Sequence, residues 1–170
     1  MVFAIYNYAE VVIRRAQLSE VDIIKSIIKE AYANVKKQLS RTPGAMQEGL
    51  DKISRNIQMG TQYVAIVGDT VVGCMRVQMR GNVGVISRVA VRTSLRGRKI
   101  GTRLVQYGEN LLEHMGASFI EIDVYNVIED QKDFYVKMGY EVAGTTVREG
   151  EDIVIMRKNL VEEDVIEDEE

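Results

Sequence analysis

I-S-R-V-A-V-R-T-S-L-R-G-R-K-I-G-T-R-L-V, residues 86–105, decides the architecture. It opens as an apolar strand, crosses a basic loop containing glycine, and enters a helix whose apolar positions recur as Ile100, Leu104, Tyr107, Leu111 and Met115. Gly116 stops that helix, and F-I-E-I-D-V at 119–124 returns to strand, so strand, helix and strand form a crossover unit. Upstream, strands at 62–67, 71–79 and about 83–91 are separated by Gly68-Asp69-Thr70 and Arg80-Gly81-Asn82, the pattern of an antiparallel meander. Downstream, a helix at about 129–138 ends at Gly139, and two strands fall near 140–148 and 152–158 around Glu149-Gly150-Glu151. Nearer the amino terminus, residues 9–15 read as a first strand, and Ser19 is placed to cap a helix running to about residue 38. That helix carries an apolar stripe of Val21, Ile24, Ile27, Ile28, Ala31 and Val35, and a looser helical stretch after Pro43-Gly44 uses Met46, Leu50, Ile53 and Ile57. The whole predicts an α/β protein of the α+β kind, a mixed sheet with helices on both faces.

Length and composition set the outer bounds. The 170 residues, 46% of them apolar, suit one domain over residues 1–160, followed by a tail, V-E-E-D-V-I-E-D-E-E at 161–170, that reads as a solvated end. Cys74 and His114 are the only residues of their kinds, so a disulfide scaffold and a Cys/His zinc site are both excluded, and a reducing, cytoplasmic setting is expected. No apolar run approaches the ~18 residues of a membrane span, and the first residues lack a basic segment followed by an apolar stretch, so neither insertion nor secretion by that route is expected. The net charge of -3 hides an asymmetry, because the tail holds seven of the 25 acids; the remaining 18 face 22 bases, a body of +4. That balance suits a small anionic ligand better than nucleic acid.

The basic loop is where such a ligand belongs. The first turn of a helix leaves backbone N–H groups unpaired and its dipole favours negative charge, while Gly97 and Gly101 let phosphates approach the main chain and Arg96, Arg98, Lys99 and Arg103 add full charges. A pyrophosphate is the natural guest. The letters match neither G-x-G-x-x-G nor G-x-x-x-x-G-K-[ST], which excludes dinucleotide and P-loop readings.

The segment resembles the coenzyme-A-binding motif of the GNAT acetyltransferase superfamily, [RQ]-x-x-G-x-[GA] after a short apolar strand. Here it reads Arg96-Gly97-Arg98-Lys99-Ile100-Gly101, with Lys99 where the family has its first glycine, preceded by Val89-Ala90-Val91 and followed by Thr102-Arg103-Leu104-Val105. A second block, Phe134-Tyr135-Val136-Lys137-Met138-Gly139-Tyr140, is similar to the family's F-Y-x-K-x-G-[FY], and the likeness runs from residue 13 to residue 158. The resemblance implies a GNAT-like acyl-CoA N-acyltransferase fold with a mostly antiparallel central sheet. It also implies acetyl-CoA as cosubstrate, with no metal, held by Val89, Ala90, Val91, Arg96, Gly97, Arg98, Lys99, Ile100, Gly101 and Thr102. Family members carry an asparagine seven residues before the block's tyrosine; that position is Ile128, and Asn126 lies two residues earlier, as a pantetheine contact or a turn residue.

The implied reaction is direct attack of a primary amine on the thioester held between splayed strands at 83–91 and 119–125. A backbone N–H near Val89 would face the developing oxyanion, and Tyr135 would be the general acid for the thiolate. Strand 83–91 has no carboxylate to act as base, so Glu121, Asp123 and Glu30 are the candidates through water, each also readable as a surface charge. His114 and Cys74 read as packing residues. The acceptor, a small amine or a peptide or protein amino group, would be chosen by residues 19–60 and 145–152. A homodimer is left open, and the competing reading is an acyl-CoA-binding module without chemistry.

Overall fold

The computed structural model describes residues 11–161. Seven strands form one sheet in the order β1-β2-β3-β4-β5-β7-β6: β1 Val12–Arg15, β2 Gln62–Val67, β3 Thr70–Arg80, β4 Val83–Val91, β5 Phe119–Tyr125, β6 Glu141–Arg148 and β7 Glu151–Asn159. Within it only the β4–β5 pairing is parallel, which is the sheet expected from the meander followed by a crossover. Residues 9 and 10 of the predicted first strand, and residues 162–170 of the acidic tail, lie outside the described residues. No helix among the described residues is long and apolar enough to cross a membrane.

Helices cover both faces because their stripes and the strand alternation agree. Helix α1, Val21–Lys36, buries Ile24, Ile27, Ile28, Ala31 and Val35. It joins helix α3, Leu50–Gln58, in a cluster with Val64, Cys74 and Ala90 of the sheet. Helix α4, Ile100–His114, packs Ile100, Leu104, Val105 and Leu112 on the other face against Tyr63, Ala65, Met75, Val77 and Ile86. The approach of α4 is close: a Cβ on Gly84 would sit 2.7 Å from a methyl of Leu112, and one on Gly108 3.0 Å from Ile86. Helix α5, Glu129–Lys137, adds Tyr135 to that second core, edge-on to Phe134 and Tyr140 at 5.0 and 5.6 Å.

Two local expectations fail for identifiable reasons. Ser19 does not cap α1; a single 3-10 turn, Leu18–Glu20, precedes it, and Glu20 reaches back to the Gln17 amide at 2.8 Å. The looser helical stretch is two helices, α2 Gly44–Gln47 and α3, broken where Glu48 turns extended (ψ 124) and drives its side chain into the protein.

The sheet opens at its centre. The β4–β5 pairs stop at Val85–Glu121, so the two strands share three register positions and then part. On the other side, β3 pairs Cys74 with Ala90 and Arg76 with Ser87, which leaves Arg88 and Val89 opposite Met75 alone. Two residues facing one is a β-bulge, and it bends the strand and frees a backbone group from the ladder. It also explains how Ile86 faces α4 while Ala90, four residues on, faces α1.

Candidate active site

Two cavities meet at the parted strands. The smaller, about 360 Å³, lies between α1, the end of β4 and the start of α4; the larger, about 950 Å³, lies between β4, β5, α5, the 39–44 segment and the β6–β7 turn. Tyr32, Val89, Gln131 and Phe134 line both and so mark their junction.

The smaller cavity gathers the loop residues predicted from the sequence: Val89, Ala90, Val91, Arg96, Gly97, Lys99, Ile100, Gly101 and Thr102 all line it. Arg98 does not; it is exposed outside that ring. The first helical hydrogen bond of α4 runs from Arg103 N–H to the Lys99 carbonyl at 3.0 Å, so the amides of Ile100, Gly101 and Thr102 have no helical acceptor. Lys99 is the N-cap, at φ +60 and ψ 21, and Gly97 lies at φ +82. The loop is therefore held in the left-handed region at two positions to turn these amides into the cavity, and the arrangement fits an anion at the head of a helix. Arg96 is partly committed to the fold, donating to the Ala31 carbonyl at 3.0 Å.

The left-handed conformation explains why the family has glycine at this position, for the lysine here carries a strain of roughly 1–2 kcal/mol that glycine would not. Its side chain is exposed and makes no hydrogen bond among the described residues. After the extra chain entropy of an unfolded glycine is subtracted, Lys99→Gly is expected to stabilise the protein by about 0.5–1 kcal/mol, read from the denaturant midpoint; a lower midpoint would mean that the lysine packs.

Tyr135 lines the larger cavity near the junction and is buried, which raises its phenol above the ordinary range. Tyr32, half-buried at the junction, is pushed up to about 12 by the same loss of water. Of the proposed bases, Glu30 is tied to Arg92 at 2.6 Å and to Thr93 Oγ1 at 2.7 Å, bonds that hold its carboxyl at about 2, and it lines neither cavity. Glu121 pairs with Arg157 and is likewise outside both. Asp123 does line the larger cavity, paired with Arg148. Asn126 is a turn residue: its amide donates to the Asp152 carbonyl at 2.9 Å, its side chain accepts from Lys132, and it touches neither cavity. His114 is exposed at the far end of α4, its ring nitrogen 2.7 Å from the Asn110 carbonyl, and Cys74 is buried, its thiol pushed up to about 12.

Parted strands, a glycine-containing basic loop at the head of a helix and a buried tyrosine lie together in a chain whose residues 28–140 match the model of the Acetyltransferase (GNAT) family. The chain belongs to the GNAT acetyltransferases. This acyltransferase superposes on the PaiA N-acetyltransferase of Thermoplasma acidophilum in complex with coenzyme A at a TM-score of 0.77, over 88% of this chain and 99% of that one, with 16% identity. It superposes on the ribosomal-protein-S18-alanine N-acetyltransferase of Escherichia coli at 0.72, over 91% and 96%, with 14% identity. The Salmonella typhimurium protein yncA, solved with acetyl-CoA, gives 0.69 over 91% and 96%, with 16% identity. At such identities the likeness is one of fold. No curated protein matches the GNAT chain significantly in sequence.

A buried acid in the site carries no motif in the sequence. Glu48 is 5% exposed and accepts from Arg76 through two bonds of 2.9 Å and from Arg88 Nε at 3.0 Å, with Lys52 at 3.3 Å. Burial would raise its pKa, but the bonds and charges of the two arginines win and hold it at about 2. The sequence places it inside one looser helical stretch, beside Gly49, and nothing local points to its partners 28 and 40 residues away.

Proposed function

We propose that this protein transfers the acetyl group of acetyl-CoA to a primary amine, of a small molecule or of a peptide or protein, by direct attack in a ternary complex with Tyr135 as general acid. The observation that carries the reading is the meeting of the two cavities at Val89, with Tyr135 beside the junction. Val89, Ala90 and Val91 would hold the extended arm of the coenzyme, and Arg96, Gly97, Lys99, Ile100, Gly101 and Thr102, with Arg98 from solvent, its phosphates. When bound, acetyl-CoA supplies an activated acyl thioester.

The chain's own residues then have separable tasks. The bulge at Arg88-Val89 interrupts the β3–β4 ladder, and a backbone N–H near Val89 would face the carbonyl oxygen as negative charge develops. Tyr135, kept protonated by burial, gives its proton to the departing sulfur. A phenol of raised pKa does not persist as phenolate, so it recovers a proton from the attacking nitrogen, whose surplus proton must leave as the amide forms. The C–N bond replaces the C–S bond, and the amine proton ends on the thiol. This relay also accommodates a β4 without a carboxylate.

Release of free thiol from acetyl-CoA, followed over a panel of amines, amino acids and peptides, is the test. Acceptor-dependent release is expected. Tight coenzyme binding with no release on any acceptor would replace the enzyme by a binding module.

A further inference from the structure

The larger cavity has a cationic floor that acetyl transfer, as described, leaves unused. Arg88 sits at the bulge with φ +53, a left-handed conformation that a non-glycine residue holds only where its surroundings impose it. Its Nε donates to Glu48 at 3.0 Å, and Glu48 is itself fixed by the two-bond clamp of Arg76. The guanidinium is thereby oriented, yet its two terminal nitrogens have no hydrogen-bond partner among the described residues. The side chain is 28% exposed, and it lines the larger cavity only. Glu48 offers one negative charge to Arg76, Arg88 and Lys52, so two positive charges on this floor remain uncompensated.

We propose that Arg88 binds a carboxylate of the acceptor, and that the acceptor is a small amino acid. The proposal rests on the acetyl-transfer reading and narrows its substrate class. A fixed guanidinium with both terminal nitrogens free presents parallel donors at the spacing of a carboxylate, which a lysine cannot reproduce. Arg88 directly precedes Val89, so a carboxylate held there leaves the amine within one arginine's length of the junction of the two cavities. Of the four other acids that line this cavity, Asp123 is paired with Arg148 and Glu151 accepts from the amides of Ser40 and Arg41 at 2.9 and 3.3 Å, and among the described residues neither these nor Asp130 and Glu149 bond to Arg88. The Glu151 contact ties the 39–44 segment to the β6–β7 turn across the cavity, which suits a compact acceptor rather than a long chain.

The test separates binding from turnover. Calorimetry on the coenzyme-A-saturated protein would compare the N-acetyl derivatives of glycine, alanine, leucine, glutamate and lysine with their carboxamides. Thiol release would compare the free amino acids with their amides and with amines lacking a carboxylate. At least one acid is expected to bind tenfold or more tightly than its amide and to show a tenfold higher kcat/KM, mainly through KM. Arg88→Asn, which tolerates the left-handed backbone, should bring both ratios near one while coenzyme binding stays intact; Arg88→Lys, which keeps the charge and loses the fork, should lower them by at least half. Amides equal to acids across the panel, or ratios unchanged in both variants, would overturn the proposal while leaving acetyl transfer standing. No thiol release on any acceptor, with Arg88-dependent preference for acids in binding, would overturn acetyl transfer and uphold the carboxylate site.

Discussion

Glu48→Gln is expected to cost about 3–5 kcal/mol of stability, because it removes the counter-charge from Arg76, which is 4% exposed, and from the fixed Arg88. Arg76 cannot recover its interactions elsewhere: its Nε is already buried without a partner, and its remaining contact is a 3.4 Å bond to Gln62. For a chain of this size the loss corresponds to a fall in Tm of roughly 6–20 °C. The same group sets part of the acid limit. Its folded pKa of about 2 lies below the unfolded value of 4.5, so its contribution is complete above about pH 5 and disappears as the pH falls toward 2. Glu30, held at about 2 by Thr93 and Arg92, acts in the same direction. The glutamine variant should therefore show a shallower decline of Tm between pH 5 and 2 than the wild type, on a lower plateau. A plateau within 1 kcal/mol of the wild type would mean that water in the cavity already screens the arginines.

Tyr135→Phe is expected to reduce kcat by about 10²–10⁴-fold with acetyl-CoA affinity unchanged. The ring remains and keeps its edge-on contacts with Phe134 and Tyr140, so stability should move little. What is lost is the hydroxyl, the only proton donor that the F-Y block places in the cavity beside the junction. Because burial raises this phenol, the wild-type rate should show no falling limb assignable to Tyr135 below pH 10. Equal turnover by the phenylalanine variant would transfer the proton to water and leave Tyr135 a packing residue.

These two residues differ in how they could be found. Tyr135 lies in a local block whose letters describe a helix end and the strand after it, and Lys99 stands inside a contiguous motif. Both could be placed from neighbours in the chain. Glu48 and Arg88 have no such context. Arg88 reads as one more residue of an alternating strand, since an arginine gives no hint of a positive φ, and the register shift that produces it depends on how β3 meets β4. Glu30 shows the converse error: an acid on the first helix looked available to the chemistry, but Arg92 and Thr93, 62 and 63 residues away, already hold it. Gln131 and Phe134 line both cavities, a position set by where α5 lies against the sheet and not by its local letters.

The sequence by itself determined the order of the strands, the mixed sheet, the helices on both faces and the basic, glycine-containing loop before α4. Those follow from interactions between residues close in the chain: periodicity, turn glycines and a charged helix head. Only the tertiary structure decided where the sheet parts, which of the acids are already paired, and that Arg88 faces the larger cavity with two nitrogens that have no partner among the described residues. Each of those depends on the meeting of strands and side chains tens of residues apart, where a shift of one register position moves a charge from one face of the sheet to the other.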